Sequence, residues 1–100
     1  MEQWLPIDDF DHYEVSSEGR VKNKGSDFIL KHLDNGSGGV MVILRRDGRG
    51  HSRLVRRLVA NAFLPYPNSP TDVPVHLDGD YKNCSADNLE WRSRWHAMKR

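Results

Sequence analysis

The hydrophobic positions of this chain fall in short pieces broken by polar residues, and their period changes along the sequence. Trp4-Leu5-Pro6-Ile7, Phe10 and Tyr13-Glu14-Val15-Ser16 are apolar fragments interrupted by acids, and Gly19 precedes Arg20-Val21-Lys22. That arrangement predicts a small hairpin unit with a turn at Ser16–Gly19. Phe28-Ile29-Leu30 predicts a short strand, Asn35 to Gly39 a loop, and Val40-Met41-Val42-Ile43-Leu44 the strongest strand of the chain. Asp47-Gly48 is a pair favoured where two strands reverse, so His51 to Val55 reads as the return strand. From Arg56 the period becomes helical: Leu58, Val59, Ala62 and Phe63 recur at helical spacing, and Pro65 ends the helix. Pro65 to Pro70 is a stiff linker, Val73 and Val75 are strand-like, and His76 to Asp80 turn. Ser85 or Asp87 then caps a final helix beginning near Asn88. The expected fold class is α+β. An N-terminal antiparallel β module with a basic hairpin takes residues 1–55, and a β–turn–α unit takes 56–100, the two packed as one compact domain.

Composition narrows the function only slightly. One hundred residues make one small domain, with a core near the lower limit for independent stability. No apolar run approaches the ~20 residues of a membrane span, and no basic-then-apolar signal pattern opens the chain, so the expected location is cytoplasmic. The single cysteine, Cys84, excludes an internal disulfide and any zinc site built on two or more cysteines. Net charge is +1, which does not by itself suggest nucleic acid. Its distribution does. Residues 1–19 carry six acids and no Lys or Arg, whereas residues 45–57 carry six arginines against one aspartate. Arginine is suited to bidentate contact with phosphate. A two-stranded ribbon fits the major groove of B-form DNA, which makes Arg45, Arg46, Arg49 and Arg53 candidates for guanine edges or phosphates. Arg56 and Arg57, at the helix start, are placed to grip backbone. His12, His32 and His51 show no ligand spacing; Trp91 and Phe63 are expected in the core, and Trp4 and Tyr13 on the N-terminal unit.

The last third of the chain carries the candidate chemistry. His76 sits just before the turn Asp78-Gly79-Asp80, and Asn88 follows twelve residues later in Asp87-Asn88-Leu89-Glu90-Trp91. This layout resembles the ββα-metal site of HNH endonucleases. The rest of the chain extends the resemblance. EQWLPIDDFDHYEVSSEGRV is similar to the N-terminal module of phage and intron-encoded HNH homing endonucleases, and VILRRDGR, VRRLVANAFLP, VHLDGD and DNLEW follow in the family's order. The resemblance implies metal-assisted hydrolysis of a DNA phosphodiester, with Mg²⁺ or Mn²⁺ on the scissile phosphate and a histidine taking a proton from water. His76 matches the base position and Asn88 the middle asparagine, a brace for the histidine and its turn. It also implies double-stranded DNA as partner and, for a phage-encoded protein, the host cytoplasm.

Two positions depart from that pattern. The residue before the base is often Asp or Asn and here is Val75; the second ligand position, six residues beyond the tryptophan, is here Ala97. Neither side chain binds a hard cation, which wants oxygen donors. Asp78 and His96 are the weak substitutes: Asp in such a turn is more often tied to backbone amides, and His96 lies one residue, about 100° of helix, from the usual position. Arg56 replaces the histidine usual before Arg-Leu-Val-Ala, and Cys84 replaces one asparagine of a pair whose other member is Asn83. Family members often carry a further C-terminal helical DNA-binding module. Two functions are therefore expected to compete. One is a DNA-binding HNH nuclease that nicks if its metal site is completed; the other is a nuclease-dead relative acting as a DNA-binding or protein-binding regulatory module.

Overall fold

The computed structural model describes residues 1–93. Among these residues the chain forms three antiparallel sheets and one α-helix, an α+β arrangement. The first sheet holds β1 (Trp4–Ile7), β2 (Phe10–Ser16) and β3 (Val21–Asn23) in chain order. The turn at its end is set by Ser16, whose buried hydroxyl accepts hydrogen bonds from the amides of Glu18 (3.2 Å) and Arg20 (3.0 Å). The second sheet holds β4 (Leu33–Asp34), β5 (Val40–Arg46) and β6 (Arg49–Leu54). Its hairpin reverses at Asp47 and Gly48, both with positive φ (55° and 77°), the two-residue turn whose twist matches that of the strands. Phe28 to Leu30 does not form the expected strand. Only Ile29 bridges to Lys22, because Phe28 and Ile29 are exposed and have no apolar face to cover.

Helix α1 (Val55–Phe63) continues directly from β6 and buries Val55, Leu58, Val59 and Ala60. Leu64 closes it, its amide reaching the carbonyl of Ala60, and Pro65 follows. The third sheet pairs β7 (Val73–His76) with β8 (Leu89–Arg92), His76 opposite Leu89 and Val75 opposite Glu90. The final helix expected from Asn88 is therefore a strand over the described residues. A single 3₁₀ turn, Ala86–Asn88, precedes it. Leu89 and Trp91 alternate with Glu90 and Arg92, a period of two that pairs with β7, while Asp87-Asn88 read in isolation looks like a helix cap. Ala97 and His96 lie outside the described residues.

One hydrophobic cluster joins all of these elements. Val15 and Val21 of the first sheet, Val42 and Leu44 of β5, Val55 and Val59 of α1, and Cys84 and Leu89 beside the third sheet belong to it. Strand β5 shows why: Val40, Val42 and Leu44 point inward, and Met41 and Ile43 point away. Tyr13 is buried in the cluster, Phe63 is half-buried against it and Trp91 is half-buried in β8. Trp4 is half-buried beneath Lys22 and Arg20. No described helix is long and apolar enough to cross a membrane.

Candidate functional site

The register of β5 against β6 sorts the hairpin arginines. Arg46 pairs with Arg49 and Val42 with Arg53, so these three arginines share the face that carries the buried Val42 and Leu44. Arg45, opposite Gly50, lies on the other face. The four candidates do not form one stripe. The guanidinium groups of Arg46 and Arg53 lie over the Phe10 ring at 4.9 and 5.1 Å, and Arg46 also donates to the carbonyl of Asp9 (3.0 Å). His51, between them on β6, meets the same ring edge-on at 5.6 Å. With Arg57 and Asn61 of α1, Arg46 and Arg53 line a cleft of about 640 Å³ floored by Phe10 and Leu58. Among the described residues, none of Arg45, Arg46, Arg49, Arg53 and Arg57 is in a salt bridge. Asp8 and Asp9 stand at one side of the cleft.

His76 lies behind the helix from that cleft, at the end of β7. The turn that follows it is held by side chains. Asn88 is buried: its Oδ1 accepts the Asp78 amide (3.1 Å), and its Nδ2 donates to Asp78 Oδ1 and to the Asn83 carbonyl, each at 2.9 Å. Its backbone carbonyl accepts the amide of Leu77 at 2.7 Å. Asp78 in turn accepts from the Asp80 amide (2.8 Å) and from Asn83 Nδ2 (3.0 Å). These bonds, Asn83 first, hold the Asp78 carboxyl below its ordinary pKa. Asn88 and Asp78 thus brace the loop that fixes His76, each using the other as partner.

The imidazole is half-buried, and burial lowers its pKa from the ordinary 6.5; the charge of Arg56 pushes the same way, while Asp78 and Asp80 oppose. Histidine Nε2 lies 4.0 Å from the Sγ of Cys84, which donates to the Tyr81 carbonyl (3.7 Å). Burial pushes the Cys84 thiol up to about 11, against the opposing charge of Arg56, so at neutral pH it is an uncharged neighbour. Arg56, expected to grip backbone beside Arg57, instead turns to the inner side of α1. It is half-buried, its Nη1 lies 3.4 Å from the carbonyl of Gly38, and desolvation lowers its pKa. Spacing does not reveal this direction; the replacement of the family's usual histidine at that position is the one signal. His32 is tied to the Gly19 carbonyl (2.9 Å).

The metal ligands implied by the resemblance do not fit the described residues. Val75 has no donor atom and faces away from His76 along β7. Both Asp78 oxygens are engaged in the brace, and among the described residues no three His, Cys, Asp or Glu side chains converge.

Comparison with known proteins gives a consistent picture. The NUMOD4 motif matches residues 2–50. An uncharacterized HNH endonuclease of Acanthamoeba polyphaga mimivirus is 30% identical over 91% of this chain and 23% of its own length. The DNA endonuclease I-HmuI of Bacillus phage SP01 is 33% identical over 89% of this chain and 51% of its own length. A solved structure of DNA binding and cleavage by the HNH homing endonuclease I-HmuI matches with a TM-score of 0.86 at 31% identity, covering 97% of this chain and 56% of that one. The chain therefore spans between about a quarter and about half of the relatives it matches.

Proposed function

The chain belongs to the HNH homing-endonuclease family, and from that premise we propose that it binds double-stranded DNA and presents a phosphodiester to His76 for hydrolysis. Residues 1–55 supply the grip: Arg46, Arg49 and Arg53 on one face of the hairpin and Arg45 on the other, with Arg57 beside them at the start of the helix. Residues 56–100 supply the chemistry. The unpaired arginines give a salt-dependent, sequence-tolerant attraction to phosphates, and a hairpin of this size fits the major groove. The reading places the protein in the cytoplasm of the cell whose DNA it meets.

In this reading neutral His76 takes a proton from water, the water oxygen bonds to phosphorus, and the bond from phosphorus to one sugar oxygen breaks. That oxygen leaves with the bonding pair and takes its proton from solvent. A histidine held below its ordinary pKa is unprotonated at neutral pH, as a base must be. The observation that carries the proposal is the mutual Asn88–Asp78 brace, which fixes the one imidazole in the position of the family's base. Mg²⁺ or Mn²⁺, if bound, would supply charge at the phosphate; no step is routed through it here, because the described residues offer no ligand set. That same observation favours a second reading, DNA binding without cleavage.

Plasmid nicking by purified protein, with and without Mg²⁺ or Mn²⁺ and beside His76→Ala, separates the two. Nicking lost in the variant supports hydrolysis at His76. Binding with a steep salt dependence and no nicking supports the binding module, and salt-insensitive or absent binding removes both.

A further inference from the structure

The charge that the missing ligands would have brought to this site has a candidate source in the protein itself. Arg56 is a half-buried cation with no carboxylate partner among the described residues. Its one printed hydrogen bond is long, 3.4 Å to the Gly38 carbonyl. Removing a guanidinium from water without a counter-charge is costly, and such groups are normally paired. The surroundings are shaped for it nonetheless. A Cβ on buried Gly39 would lie 2.8 Å from Arg56 Nη1, so this glycine leaves the space that the guanidinium occupies. The groups that feel its charge are His76 and Cys84, on the opposite element. Cys84 is uncharged, so it does not neutralise Arg56. The helix end adds to the imbalance: the first turn of α1 has no acidic residue and no side-chain cap, and it carries Arg56 and Arg57 at the positive end of the helix dipole.

We propose that Arg56 is the phosphate-binding cation of the His76 site, contacting the nonbridging oxygens of the diester that His76 attacks. The proposal rests on the reading of this site as one that receives a phosphodiester. It differs from the hairpin contacts in kind. A guanidinium beside the base stabilises negative charge that grows on the phosphate in the transition state, whereas Arg46 or Arg53 binds ground-state backbone. It also accounts for the unusual pairing of substitutions at Val75 and Arg56: the site gains a fixed organic cation where it loses a carboxylate for a metal.

The first arm of the test needs neither DNA nor cleavage. In the full chain, the Nε–Hε NMR signal of Arg56 is followed during titration with inorganic phosphate at constant ionic strength, chloride serving as the control. A saturable shift with phosphate and not chloride, absent from Arg57, is the expected result. No shift, or an equal one at Arg57, overturns the proposal. In the second arm, Arg56→Gln is expected to lower nicking about 100-fold while duplex affinity changes less than about threefold. Arg56→Lys, which keeps the charge and guards against a folding defect, is expected to recover part of the rate. Wild-type nicking by Arg56→Gln overturns the proposal. A chain that neither nicks nor binds duplex DNA defeats the proposed function instead, and the phosphate titration still decides Arg56.

Discussion

The β5–β6 hairpin and the turn between β7 and β8 hold their polar residues in opposite ways. On the hairpin, backbone register alone aims the arginines; their side chains are exposed and make one or two contacts each, to Phe10 or to a carbonyl. In the turn, Asn88, Asp78 and Asn83 lock one another through side-chain hydrogen bonds, and His76 is fixed at the strand end beside them. The difference matches two demands. A polyanion offers many equivalent phosphates and tolerates loosely held cations. A proton transfer at one oxygen needs the base held within hydrogen-bond reach.

Substitutions at the two regions should therefore fail differently. The largest effect is expected from His76→Ala, which abolishes nicking in a plasmid assay yet leaves duplex affinity within about twofold, since it is not a backbone grip. Gly19→Val comes next, at about 3 kcal/mol of lost stability by urea unfolding, because φ is +89° and a Cβ would stand 3.0 Å from the Cβ and the carbonyl oxygen of Cys84. Asn88→Ala should cost about 2 kcal/mol, by leaving the Asp78 amide and carboxylate without their partner. Arg46→Ala and Arg45→Ala test whether one hairpin face matters more. Each should reduce the salt slope of binding by about one, with Arg46→Ala the weaker binder because its guanidinium is preplaced on Phe10. Equal effects would mean that both faces meet DNA.

The smallest is a pH effect. A histidine whose folded pKa lies below its unfolded 6.5 binds a proton more readily when unfolded, so stability falls as pH drops from 6.5 through the folded value. His76→Gln should flatten that part of the stability profile measured by thermal unfolding. If it steepens instead, the histidine is charged in the fold and is no base at neutral pH.

The hairpin was fully legible in the sequence, since a two-residue Asp-Gly turn and flanking alternation specify both strands and their register. Helix α1 was legible from its period. The candidate base and its asparagine were recognised by spacing, and the arrangement around them places them together. What stayed hidden depends on tertiary packing. Leu89 to Arg92 became a strand because Val73–His76 offered a partner edge, which no local preference records. Arg56 and Arg57 are adjacent in a run of like charges, and only the packing of α1 against β7 decides that one turns inward and the other lines the cleft. The proximity of Cys84 to His76, across eight residues of loop, was equally invisible.

Strand β6 ends at Leu54 and α1 starts at Val55, with nothing between them. A chain that reads DNA with the strand and acts beside the helix then carries its own ruler. The distance from the gripped base pairs to the attacked phosphate is set by that rigid joint, and no tether can stretch it. Adding one residue there would rotate the helix by about 100° and advance it about 1.5 Å. The cut position relative to the bound sequence would be lost together with the site, so insertions at this joint should be far more damaging than insertions in the Pro65–Pro70 linker.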